Sequence, residues 1–255
     1  STPMKKPMIM PNTRITKIDS LVVKITADDG TIGFADSGDT SSWYRGELQD
    51  TMITMICDVI APRILLGEDP RKIEKIVGMM DLLVRDNNQA KAVIDFALHD
   101  LKGKKLGVPV FELLGGRTIE AARMGWVLSA GTPDEVAAEA KRAHKEGFEL
   151  LKMKVGAGTL ADDVKMVHAV RETVGPHIRL TIDANGFWNY ETALQTIRKI
   201  DSANLELIEQ PLPHWDIEGL ARLRQQVRTP IYADESAQEL HHLKEIIDRR
   251  AADGL

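Results

Sequence analysis

A chain of 255 residues with 43% hydrophobic and 28% charged side chains has the composition of a folded globular protein, which argues against disorder or a fibre. The 38 acidic and 33 basic residues leave a formal charge of -5 with no basic run, so nucleic acid and membrane are poor partners and a small molecule is the better one. The lone Cys57 cannot form an internal disulfide, and neither a signal-like apolar segment nor a run of about 18 apolar residues is present, which fits a cytoplasmic protein. The chain starts at Ser1 without an initiator Met, which leaves processing and a missing N-terminal piece open.

The first legible element is the β-branched run Ser20 to Ile25, followed by a turn at Asp28-Asp29-Gly30 and a returning strand from Thr31 to Ala35. Met52, Ile53, Ile56, Val59 and Ile60 then recur at helical spacing, and Pro62 is expected to end or kink that helix. A second helix is predicted from about Pro70 to Leu83. A third, from Ala90 to Leu106, places Val93, Ile94, Ala97, Leu98 and Leu101 on one face and stops at Gly107 and Pro109. Residues 1–118 therefore read as an α+β unit.

Beyond Arg117 short apolar runs alternate with helical segments, as in repeated β/α units. The predicted strands are Met124 to Ser129, Leu150 to Val155, Leu180 to Asp183, Leu205 to Glu209 and Ile231 to Asp234. Helices should begin near Pro133, Leu160, Tyr190, Ile217 and Gln238. Five such units with short loops favour an α/β fold of the TIM (β/α) barrel type over residues 119–255, although periodicity alone does not exclude a doubly wound sheet.

Three consecutive strands end on an acid: Asp183 in LTIDAN, Glu209 in LELIEQP and Asp234 in IYADES. A single acid at a strand end is ordinarily a cap or turn residue, but three in successive units converge on one barrel mouth. Gathered carboxylates repel one another unless a cation offsets them, and oxygen-only donors suit a hard ion, Mg²⁺ first and Mn²⁺ second. Glu235 follows Asp234, and strand alternation should send the two to opposite faces, with Asp234 at the metal and Glu235 in support.

One unit upstream, Lys152 and Lys154 are two apart and share a strand face. Read blandly, they form structural ion pairs with the neighbouring acids. Read functionally, a second cation and a metal disfavour the protonated amine and prepare a general base. Such a set suits abstraction of a proton alpha to a carboxylate, where a divalent metal stabilises the enolate charge. A Schiff-base aldolase also places a lysine on a barrel strand, but the three acids argue against it, and a non-catalytic barrel homologue would not need these residues intact.

KMK at Lys152 to Lys154, DAN at Asp183 to Asn185, EQP at Glu209 to Pro211 and ADES at Ala233 to Ser236 resemble the signature of the enolase superfamily, mandelate racemase and muconate cycloisomerase branch. The stretch from Ala90 to Gly116 resembles the capping-domain segment and linker of that branch. The resemblance implies a modified TIM barrel with an N-terminal α+β capping domain, Lys154 as the acid/base and Lys152 as its assistant. It implies Asp183, Glu209 and Asp234 as Mg²⁺ ligands, Asn185 as a substrate contact, and a small carboxylate substrate in a homo-oligomer. Capping loops near Lys5 to Thr13 and Ser37 to Arg45 would carry specificity, with Met8 and Met10 touching the substrate. Ala35-Asp36 departs from the family's Gly-Glu ending of the second hairpin strand. The family barrel needs about three strands after ADES, so the working protein is expected to extend past Leu255 and to carry a second lysine opposite Lys154.

Overall fold

A computed structural model of the chain describes residues 2–10, 13–38, 46–129 and 131–255, with the side chains of residues 5–10, 13 and 14 outside that description. The chain divides into two compact units, residues 1–6 with 16–122 and residues 7–15 with 123–255.

Two strand pairs open the chain: β1 (Thr2–Met10) with β2 (Thr13–Ile18), and the antiparallel pair β3 (Val22–Thr26) and β4 (Ile32–Asp36). The β3–β4 hairpin is the one read from its turn, where Gly30 takes φ +82° and Asp29 accepts from the Thr31 N–H at 3.0 Å. The first pair is a correction to the sequence reading. Pro3, Pro7 and the Lys5-Lys6 pair break the alternation that marks a strand, so nothing there advertises pairing.

Helix α1 (Gln49–Thr54) runs into a π-helical stretch, Met55–Leu65, that carries Pro62 within it. Pro62 was expected to stop or kink the helix. The stretch instead closes on a wider turn, the Leu66 N–H donating to the Ala61 carbonyl at 3.0 Å. Helices α2 (Ile73–Leu83), α3 (Asn88–Leu106) and the short α4 (Val110–Leu113) complete the first unit.

The predicted face of α3 is the buried one: Val93, Ile94, Ala97, Leu98 and Leu101 are all at most 1% exposed. Two features seat α3. Glu47 caps its start, its carboxylate accepting from the Gln89 and Ala90 N–H groups at 2.8 and 3.1 Å. Gly33 lets β4 approach so closely that a Cβ there would lie 2.1 Å from the Ala97 carbonyl oxygen.

The second unit is built on a five-stranded parallel sheet in sequential order: β5 (Trp126–Leu128), β6 (Leu150–Lys154), β7 (Arg179–Asp183), β8 (Leu207–Glu209) and β9 (Ile231–Tyr232). Between them run α5 (Pro133–Lys145), α6 (Leu160–Val174), α7 (Tyr190–Ile200) and α8 (Ile217–Arg224), and α9 (Leu240–Arg249) follows β9. Their starts are chemically marked. Thr132, Thr159, Asn189 and Asp216 each accept a hydrogen bond from a first-turn N–H of the helix they precede. Leu151, Met153, Leu180, Ile182, Ile208 and Ile231 are fully buried in one apolar core with the inner faces of these helices. The result is a TIM-barrel-like arrangement, open in this chain, in which every strand aims its C-terminal end the same way.

Candidate active site

Parallel register places Lys154 beside Asp183, and Asp183 beside Glu209, at the ends of β6, β7 and β8. Because strand side chains alternate, Leu151 and Met153 go into the core while Lys152 and Lys154 share the other face. The four charged groups meet there. Lys152 Nζ lies 2.5 Å from Glu209 Oε1 and 3.0 Å from Asp183 Oδ2, and Lys154 Nζ lies 2.6 Å from the same Asp183 oxygen. Asp183 is fully buried, and its other oxygen accepts from the Asn185 N–H at 2.8 Å.

Burial works against the charge on Asp183, but the ammonium groups of Lys154 and Lys152 outweigh it and hold the carboxyl below its usual range. Glu209 goes the other way: burial first, and then the Asp183 charge beside it, push its carboxyl up to about 7 despite Lys152. Burial opposes the charge of Lys152 too, yet Asp183 and Glu209 together hold its ammonium above the usual lysine range. Lys152 thus departs from the lowered amine that neighbouring cations would produce, because the acids beside it favour its ammonium form.

Asn185 links this cluster to the next strand. Held at φ +44°, it accepts from Lys154 Nζ at 2.8 Å and donates through Nδ2 to Glu235 Oε1 at 2.9 Å. Burial raises the Glu235 carboxyl, and its second oxygen is buried with no hydrogen-bond partner among the described residues.

Asp234 stands apart from this network. Strand β9 stops at Tyr232, two residues before the end predicted for it, so strand alternation does not govern Asp234 and Glu235. Asp234 is exposed, whereas Glu235 is the one joined to the cluster through Asn185. Among the described residues no three Asp, Glu, His or Cys side chains form a group that could hold a metal ion. Asp183 and Glu209 nevertheless offer a hard cation what it needs: adjacent oxygen donors, with a carboxyl at Glu209 whose ionised form the Lys152 ammonium only partly compensates against burial and the Asp183 charge. The donor chemistry fits Mg²⁺ at these two residues.

Met8 and Met10 lie on β1, but their side chains are outside the described residues, as is the whole of 39–45. Of the proposed capping loops, residues 5–10 are strand and not loop.

Two residues to which the sequence reading assigned no role stand behind the cluster. Asp163 on α6 is 4% exposed; its carboxylate accepts from the Gly156 N–H at 3.1 Å and from Trp188 Nε1 at 3.2 Å. It thereby ties the segment after Lys154 to the segment after Asp183. Gln210, next to Glu209, is fully buried. Gln210 lies inside the EQP motif, which marks the position without giving it a role, whereas an Asp in a first helical turn passes for ordinary helix-end chemistry.

A parallel β/α sheet with lysines and oxygen-donor acids gathered at its strand ends, joined to an α+β unit, defines a barrel enzyme with a capping domain. The chain belongs to the mandelate racemase / muconate lactonizing enzyme family, whose N-terminal domain matches residues 1–115, and the enolase C-terminal domain-like family matches residues 135–255.

It is 58% identical to a crystal structure of a mandelate racemase/muconate lactonizing family protein from Azoarcus sp. EbN1, with a TM-score of 0.92 covering 100% of this chain and 65% of that one. It is 34% identical over 252 residues to the N-succinyl-L-Arg/Lys racemase of Bacillus cereus, covering 98% of this chain and 68% of that protein. It is also 30% identical, at a TM-score of 0.92, to a dipeptide epimerase from Cytophaga hutchinsonii solved with Mg and the dipeptide D-Ala-L-Val, covering 99% of this chain and 67% of that one. The chain thus spans about two thirds of the length of these relatives. No helix among the described residues is long and apolar enough to cross a membrane.

Proposed function

We propose that this protein is a Mg²⁺-dependent enzyme that removes the proton alpha to the carboxylate of a small substrate, with racemisation or epimerisation as the outcome. The observation that carries the reading is the placement of Lys154 Nζ at a strand end, between Asp183 Oδ2 at 2.6 Å and Asn185 Oδ1 at 2.8 Å, beside a second lysine. Similarity to a racemase and to a dipeptide epimerase is the basis for naming that outcome and N-acylated amino acids or dipeptides as substrates; muconate and chloromuconate cycloisomerases are similar to the same degree, so cycloisomerisation is the second reading.

Lys154 moves the alpha proton at its Nζ. Lys152 assists: its ammonium, shared between Asp183 and Glu209, keeps the two acids side by side and adds positive charge where a substrate carboxylate would arrive. Asn185 orients Nζ through its amide oxygen and contacts the substrate, with Glu235 in support through the Asn185 amide nitrogen. Asp183, Glu209 and Asp234 would hold Mg²⁺, which when bound supplies the charge that stabilises an enolate. We assign residues 1–118 to the capping domain and 119–255 to the barrel, and take the protein to act in the cytoplasm as a homo-oligomer.

The test is alpha-proton exchange in D₂O over a panel of N-succinyl amino acids and dipeptides, followed by NMR with Mg²⁺ and again with EDTA. Exchange that requires the metal is expected. No exchange with any member, or exchange indifferent to EDTA, would overturn the reading.

A further inference from the structure

We propose that Gln210 is a positioning residue that fixes Asp234 relative to Glu209 and so sets the metal affinity of the site. The inference rests on the metal assignment above. Gln210 sits at φ +35°, a left-handed conformation that an L side chain rarely adopts, and is fully buried. Such a backbone persists only where its surroundings over-determine it.

They do so here through every polar group the residue has. Its N–H donates to the Tyr232 carbonyl and its carbonyl accepts from the Gly186 N–H, each at 2.8 Å. Its side-chain oxygen accepts from the Asp234 N–H at 2.9 Å and the Ser236 N–H at 3.1 Å. Its side-chain nitrogen donates to the Leu212 carbonyl at 2.8 Å and to Ser236 Oγ at 2.7 Å, and that hydroxyl donates onward to the His214 carbonyl at 2.9 Å. The amide's two donors and two acceptor sites are therefore all used, which a glutamate could not reproduce.

The partners lie at or just beyond the C-terminal ends of β7, β8 and β9, next to Asp183, Glu209 and Asp234. Asp183 needs no such help, because Lys152, Lys154 and the Asn185 N–H hold its carboxylate directly. The Asp234 carboxylate is different: among the described residues it has no hydrogen-bond or ion-pair partner, so its place is inherited from its backbone. Gln210 grips that backbone at Asp234 and again at Ser236. The same grip ends β9 at Tyr232, since the Asp234 N–H is turned to the Gln210 side chain and not to a neighbouring strand.

The experiment measures Mn²⁺ affinity and the number of waters on bound Mn²⁺ by water-proton relaxation. The full chain is compared with Glu209→Gln, Gln210→Gly and Ser236→Ala, with cooperative urea unfolding in EDTA as the control for folding. Gln210→Gly keeps the backbone conformation at no steric cost while removing the clamp. We expect its Mn²⁺ affinity to fall by about 10- to 100-fold, the range for groups that orient a metal ligand. Bound Mn²⁺ should gain a water as one carboxylate lets go, a change that a merely structural role would not produce. Ser236→Ala should shift both readouts in the same direction by less, and it alone decides if Gln210→Gly does not unfold cooperatively. If Glu209→Gln weakens binding while Gln210→Gly and Ser236→Ala match the wild type, the positioning role falls and the metal assignment stands. If the wild type binds no Mn²⁺, or Glu209→Gln binds as tightly as the wild type, the metal assignment falls and takes this inference with it.

Discussion

Removing the charge of Glu209 should change how the stability of the metal-free protein depends on pH. Burial and the Asp183 carboxylate raise the Glu209 carboxyl from its ordinary 4.5 to about 7 in the folded chain. The folded state then binds more protons than the unfolded state between those values, so stability falls as pH rises through that window and the loss is complete above pH 7. Holding Glu209 ionised costs about 3 kcal/mol at 1.36 kcal/mol per pH unit. Asp183 has the opposite sign, its stabilising contribution being lost only in acid, so it does not mask the effect. Urea unfolding in EDTA at steps from pH 4.5 to 8 measures this directly. Glu209→Gln should show a flatter profile and should gain about 3 kcal/mol on the wild type across the window, less what the neutral amide loses in its bond to Lys152. Parallel profiles for the two proteins would refute the electrostatic account of the site.

Other consequences are local. Asp163→Ala strands the Gly156 N–H and Trp188 Nε1 in a buried setting, which should cost about 3 kcal/mol in urea unfolding and slow alpha-proton exchange through the loosened end of β6. A cost below 1 kcal/mol would show that water replaces the carboxylate without penalty. Gly33→Ala forces a Cβ to 2.1 Å from the Ala97 carbonyl oxygen and should lower stability by about 2 kcal/mol or more. An unchanged thermal midpoint would mean that β4 moves off α3 freely.

Much of the second unit was legible because its signals are local and repeated. Short apolar runs and helix starts recur with a period of one β/α unit, which is why Lys152 and Lys154 could be put on one strand face from their spacing and Asp183 and Glu209 at the same mouth from their places at successive strand ends; parallel register sets them side by side. The apolar face of α3 was equally plain from its periodicity. The pairing of β1 with β2 was not, because prolines and lysines hide a strand whose evidence lies in its partner. The environment of Asp234 was illegible for another reason: alternation assumes a strand, and a side chain from a different segment, Gln210, ends this one early. Asp163 gathers the Gly156 N–H and the Trp188 indole N–H, and Gln210 the Asp234 and Ser236 N–H groups; the EQP motif marks Gln210 but does not record which segments it joins.

The claim at the centre of this account is that Lys154 moves the alpha proton at a site whose metal is held by other residues. It is tested most directly by measuring solvent deuterium exchange in Lys154→Ala, at Mg²⁺ saturation confirmed by calorimetry, on a substrate that the wild type exchanges. The account predicts loss of exchange by about 10²-fold or more with Mg²⁺ affinity largely retained. Exchange at the wild-type rate in the metal-loaded variant would contradict it.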